Sequence, residues 1–85
     1  MKIFFTATAA KDLEYWKKTN IKIHRRIAVL LRSIQKDPLT GIGKPEKLTG
    51  NLSGLYSRRI NHVHRLVYGN KGRRLLVYSC RYHYE

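Results

Sequence analysis

From Pro38 through Tyr84 the chain carries one acidic residue, Glu46, among cations that include Lys44, Lys47, Arg59, Arg65 and Arg81, and the run closes on His83 and Tyr84. A carboxylate, a guanidinium and an imidazole together suit one reaction. RNA supplies its own nucleophile in the 2′-hydroxyl, so a base that removes its proton and an acid that protonates the departing 5′-oxygen suffice. Glu46 fits the base and His83 the acid, while Arg65 can neutralise charge growing on the phosphorane oxygens. Tyr84 can stack on a base or orient the phosphate, and Lys44, Arg59 and Arg81 offer further phosphate contacts. Plainer readings stand beside these: Glu46 as a loop carboxylate paired with Lys44 or Lys47, and Tyr84 as an amphipathic residue closing a sheet edge.

Other chemistries lack their residues. The single cysteine, Cys80, precludes an intrachain disulfide and points to a reducing compartment. With His24 on a helix face, His62 in a turn and His64 one residue off the parity of His83, no closed zinc set is present, and neither a metal nor a cofactor is expected. The stretch TGIGKPE has glycines and a lysine but lacks the strand-to-helix context of a phosphate loop. A formal net charge of +13, from 18 Lys+Arg against 5 Asp+Glu, calls for a polyanionic partner; solubility alone needs a net charge of only about 2 to 8. The opening MKIFFTATAA resembles a secretory signal, but Lys11 and Asp12 interrupt it before an apolar region of about 7 to 15 residues forms. No segment reaches the roughly 20 apolar residues of a membrane span, so the expected location is the cytoplasm.

These side chains must be placed by a single small domain over residues 1–85, near the lower size limit for a core without staples. Lys2–Thr6 reads as a strand. Ala9, Leu13 and Trp16 share one face of a first helix, which Asn20 ends while capping the next. Ile23, Ile27, Leu30, Leu31 and Ile34 line a second helix, stopped at Asp37 because Pro38 disfavours helical geometry before it. DPLTGIGKPEKLTGNLSG, with four glycines and two prolines, reads as a long functional connection. GLYSRRIN, HRLVYGN and RRLLVYSCRYHY follow as three strands of an antiparallel meander. The expectation is an α+β fold, β-α-α-β-β-β, with both helices on one face of an antiparallel sheet and the other face open to a ligand.

Turn chemistry predicts a register. A three-residue loop at Asn70, Lys71 and Gly72 would pair Gly69 with Arg73 and Arg65 with Val77, setting Arg65, Ser79, Arg81 and His83 on the open face. Leu66, Tyr68, Leu76, Tyr78, Cys80 and Tyr82 would then face the helices. A two-residue loop at Lys71 and Gly72 would put Arg65 on the opposite face from His83. A loop at Asn61, His62 and Val63 would set Arg59 opposite Arg65. Like charges so placed destabilise a sheet unless an anion lies between them.

The run GKPEKLTGNLSGLYSRRINHVHRLVYGNKGRRLLVYSCRYHY, with YWKKT in the first helix, closely resembles the YoeB family of toxins in the RelE/ParE superfamily. GKPE, NLSG, SRRI, HRLVY and RYHY carry the likeness. The resemblance implies a RelE/ParE-like fold and a ribosome-dependent endoribonuclease that cuts messenger RNA in the ribosomal A site. It also implies a YefM-like antitoxin as partner, a homodimer, and binding to operator DNA only through the antitoxin complex. Family positions fall on Glu46 as base, Arg65 as phosphate stabiliser, His83 as acid and Tyr84 in support, with Arg59 in the basic site. Two departures are Thr49, where the family often has lysine, and Glu85, beyond the tyrosine at which many relatives end. Two other readings are a non-catalytic basic RNA-binding or ribosome-binding protein and a ParE-like gyrase inhibitor, neither of which needs the set of Glu46, Arg65 and His83.

Overall fold

The computed structural model describes residues 1–82. In chain order it contains β1 (Lys2–Phe5), α1 (Ala7–Thr19), α2 (Ile21–Lys36), β2 (Glu46–Lys47), a 3₁₀ turn (Gly50–Leu52), β3 (Tyr56–Arg59), β4 (Arg65–Lys71) and β5 (Arg74–Ser79). The strands form one sheet in the order β1-β5-β4-β3-β2. The meander from β2 to β5 is antiparallel, but β1 lies parallel to β5. The sheet is thus mixed, and the long connection contributes a strand of its own. A two-residue strand has no periodicity to reveal it, and a short apolar run such as KIFF does not encode the direction of its partner.

Polar side chains set the helix ends where the sequence places them. Thr6 Oγ1 accepts the Ala9 N–H at 3.1 Å. Asn20 closes α1 by donating its N–H to Trp16 O at 2.8 Å and opens α2 by accepting the Ile23 N–H at 3.3 Å, so one residue satisfies groups of two helices. The buried stripe of Ala9, Trp16, Ile27, Leu30 and Ile34 meets Leu66, Tyr68, Leu75, Val77 and Cys80 on the sheet, flanked by Leu13, Ile23 and Leu31.

The largest fully buried side chain is a charged one, Arg58 on β3. Its Nε donates to Tyr68 Oη at 3.1 Å, Nη1 to Ser33 Oγ at 2.7 Å and Ile42 O at 3.2 Å, and Nη2 to Asp37 O at 2.7 Å and Thr40 O at 2.8 Å. Tyr68 Oη in turn donates to Pro38 O at 2.6 Å. The connection after α2 therefore wraps its carbonyls around one buried guanidinium, whose donors they satisfy. Close approach dictates Gly41: its φ is +119°, and a Cβ there would lie 2.5 Å from Ser33 Oγ and 3.0 Å from Arg58 Nη1. The Asp37 carboxylate accepts the Leu39 N–H at 2.9 Å, and that bond, with one from the Thr40 side chain, holds its pKa below the ordinary value.

The β4–β5 hairpin departs from the predicted register. Lys71 pairs with Arg74, so the turn is the two residues Gly72 and Arg73, with Gly72 at φ +59° as a two-residue hairpin turn favours. Gly69 accordingly pairs with Leu76 rather than Arg73. Leu75 and Val77 enter the core, while Leu76 and Tyr78 line an open hollow with Phe4, Leu55 and Gly69. A bulge then intervenes: Tyr68 pairs with Val77 but Val67 with Ser79, leaving Tyr78 as the extra residue. The added residue reverses the parity a second time. Ser79 regains the face of Val67, Cys80 reaches the core, and Arg65 meets Tyr82 rather than Val77, its N–H donating to Tyr82 O at 3.1 Å.

β5 stops at Ser79 and does not run on toward Tyr84. Helix α1 takes up the backbone there: Asp12 Oδ2 accepts the Cys80 N–H at 3.0 Å and Trp16 Nε1 donates to Cys80 O at 2.8 Å. Tyr82, expected on the buried side, is exposed and has a left-handed φ of +62°. His83, Tyr84 and Glu85 lie outside the described residues.

Arg58→Met should cost about 1–3 kcal/mol, because it leaves the carbonyls of Asp37, Thr40 and Ile42 without their donor. Urea unfolding measures the loss, and a change under about 1 kcal/mol would show that the loop closes without the guanidinium. Burial pushes the Cys80 thiol up to about 12, with the Asp12 charge adding to the effect. The neutral thiol therefore contributes stability below the unfolded value of about 9, and that contribution is lost as pH rises from about 9 to about 12. Thiol labelling at pH 8 should be slow until denaturant is added; rapid labelling of folded protein would contradict the burial.

Candidate active site

Glu46 is placed by the loop that Arg58 holds. Gly43, at φ +82°, accepts the Arg59 N–H at 2.6 Å, and a Cβ there would lie 2.8 Å from Leu30 Cδ2 and 3.1 Å from Arg59 O. Lys44 follows, exposed and with a left-handed φ of +49°. Pro45 then leads into β2, whose continuation is fixed by buried Leu48 and its N–H bond to Leu55 O at 3.0 Å. Glu46 comes to rest opposite Ser57.

The pairings bring the cations alongside. Glu46 faces Ser57, Ser57 faces Val67 and Val67 faces Ser79, so these four define one row across the face away from the helices, with Glu46 exposed and Ser57 and Val67 buried. One step along, Arg59 is directly opposite Arg65, as the loop at 61–63 predicts. Diagonal neighbours on adjacent strands lie about 7–8 Å apart, and β2 and β4 are two strand spacings, about 10 Å, apart. A phosphodiester fits between Glu46 and Arg65 on that scale.

Arg65 is half-buried and partly neutralised by dipoles. Its Nη1 donates to the carbonyls of Asn61, His62 and His64 at 2.9, 3.4 and 3.2 Å. Asn61 shapes that loop by accepting the Val63 and His64 N–H groups at 2.9 and 2.7 Å. The loop carbonyls thus anchor one edge of the guanidinium and lessen its repulsion with Arg59.

Arg81 occupies a different position from the one expected. Its guanidinium lies 3.6 Å from the ring centroid of Tyr15 on α1 and 4.6 Å from that of Tyr82, and Nη2 donates to Tyr82 Oη at 2.8 Å. It is a cation stacked on Tyr15 and Tyr82. Beside it His64, set aside as a zinc ligand by parity, accepts the Tyr82 N–H on Nδ1 at 2.7 Å and meets Trp16 edge-to-face at 4.6 Å between centroids. Among the described residues no group of three or more His, Cys, Asp or Glu could hold a metal ion, and no helix is long and apolar enough to cross a membrane.

Sequence reasoning overlooked Arg58 and His64. In SRRI, alternation sends one of two adjacent arginines inward whenever the other faces out, so a buried arginine was implied once Arg59 was placed outside. For His64 no local signal exists, because its partner is eighteen residues away.

Two helices on a five-stranded, mostly antiparallel sheet with this open basic face make up the RelE-like toxin fold. The structure superimposes on a YoeB–YefM complex from Staphylococcus aureus with a TM-score of 0.92 and 48% identity, covering 99% of this chain and 98% of that one. A YoeB dimer from the same organism matches at 0.93 and 47%, with the same coverage. A Synechocystis protein named toxin YoeB is 49% identical over 85 residues, spanning 100% of this chain and 99% of its own. Residues 5–84 match the family described as YoeB-like toxin of bacterial type II toxin–antitoxin systems. The chain belongs to that family, and it is a toxin of the type II class.

The Arg59–Arg65 juxtaposition generates a stability prediction. Arg59→Gln should leave stability unchanged or raise it by about 0.2–1 kcal/mol at low ionic strength, and the difference should shrink in salt. Thermal melts at two salt concentrations test this. A variant less stable at low salt would mean that the pair is not repulsive.

Proposed function

We propose that the chain is a ribosome-dependent endoribonuclease that cuts messenger RNA in the ribosomal A site and so halts translation. The observation that carries this reading is the strand register that sets Glu46 on the open face beside the opposed Arg59 and Arg65. Glu46 takes the proton of a 2′-hydroxyl; the alkoxide attacks the adjacent phosphorus. Arg65, with Arg59 and Lys44 nearby, stabilises charge on the non-bridging oxygens. The P–O5′ bond breaks as His83 delivers a proton to the 5′-oxygen, with Tyr84 supporting the phosphate. The products are a 2′,3′-cyclic phosphate and a 5′-hydroxyl. No metal or cofactor takes part in this scheme.

A folded toxin needs restraint. The similarity to the Staphylococcus aureus protein solved with YefM supports a YefM-like antitoxin, and the related dimer supports a homodimer. Operator DNA would be bound through the antitoxin complex, and the work would be done in the cytoplasm where ribosomes are.

Glu46→Gln and His83→Ala should each slow cleavage about 10²- to 10⁴-fold while the protein stays folded and ribosome-bound. Translation of a defined message in vitro, with mapping of 3′ ends, reads this directly. A wild-type protein that blocks translation and leaves the message intact would end the nuclease reading.

A further inference from the structure

Tyr82 is held at both backbone groups by two consecutive residues of β4 and the loop before it. Its carbonyl accepts the Arg65 N–H at 3.1 Å, and its own N–H donates to His64 Nδ1 at 2.7 Å. These bonds retain a tyrosine at φ +62°, a conformation that costs an L-residue roughly 1–2 kcal/mol. The imidazole is itself well fixed. His64 N–H bonds Asn61 Oδ1 at 2.7 Å, His64 O accepts the Ile60 N–H at 3.0 Å, and the ring packs on Trp16, which is 5% exposed and bonded to Cys80 O. Only a neutral imidazole carrying its proton on Nε2 can accept at Nδ1. The next residue in the sequence is His83.

We propose that His64 is a positioning residue for the acid of the reaction, acting through the Tyr82 peptide. By fixing the Tyr82 N–H while its neighbour Arg65 fixes the carbonyl, it ties the residue that precedes His83 in the sequence to the same dipeptide that bears the phosphate-stabilising guanidinium. The inference rests on the assignment of His83 as acid.

The test uses a 5′-bridging sulfur. In the normal step the P–O5′ bond breaks and the oxygen takes a proton from the acid; with sulfur in that place the P–S bond breaks and a thiolate leaves without one. Ribosomes programmed with a message bearing a single such linkage at the mapped cut separate defects in the acid from all others. On the all-oxygen message His64→Ala and His64→Gln should cleave about 10²-fold slower in single turnover, as small misplacements of catalytic groups do, with ribosome affinity and melting temperature near wild type. His64→Asn, whose Oδ1 can stand where Nδ1 stood, should recover most of the rate. On the sulfur message the slow variants and His83→Ala should all approach wild type.

Wild-type cleavage by His64→Ala and His64→Gln on the oxygen message would overturn the proposal, as would a defect that persists on sulfur while His83→Ala is rescued. Failure of sulfur to rescue His83→Ala would remove the acid assignment and this inference with it. Should His64→Ala not fold, the α-hydroxy analogue of Tyr82 deletes the N–H with His64 in place, and the same pair of messages decides.

Discussion

The guanidinium of Arg58 is the interaction on which the rest of the molecule depends. It lies at the junction of α2, the following connection and β3, and its five donors close on two hydroxyls and three backbone carbonyls. An ion taken out of water usually recruits a carboxylate, yet here the hydrogen bonds go to neutral oxygens, which satisfy every donor of the buried guanidinium. Cation and loop satisfy each other. Because the loop ends at Gly43 and leads within three residues into Glu46, the same contact that closes the core also sets the proposed base.

A second constraint governs the other edge of the site. α1 does more than cover the sheet: Thr6, Asp12 and Trp16 bond the backbone of Tyr78 and Cys80 as β5 finishes. The chain is thereby turned toward His64 and Arg65. The extra residue at Tyr78 makes this possible, since without it Cys80 would face outward and the Trp16 and Asp12 contacts would have nothing to hold. Stability and charge pull apart where they meet. The basic face opposes two arginines across a strand pair, and the loop carbonyls on Arg65 lessen that conflict without removing positive charge from the face.

Local sequence was enough for the helices, their caps and the core stripe, because each is decided by neighbours within one or two turns: Asn20 between the helices, Pro38 after the second, and the spacing from Ile23 to Ile34. The opposition of Arg59 and Arg65 was legible for the same reason, resting on one short loop. The β4–β5 register was not. Its turn is a residue shorter than predicted and a bulge adds a residue to β5, and since side-chain direction alternates with every residue, the two differences cancel in parity beyond the bulge and leave Leu76 and Tyr78 on the unexpected face between them. Where a bulge falls depends on what packs on each side of the sheet, which no five-residue window records.

By itself, then, the sequence determined the class of fold, the family, the basic character of one face and the residue types that can move protons beside a phosphate. Tertiary structure alone decided which arginine is buried, that Arg81 stacks on Tyr15, and that His64 reaches Tyr82. The reason is one of range. Propensity and periodicity act between residues close in the chain, whereas a guanidinium or an imidazole is committed by whichever acceptor or donor the completed fold delivers to it.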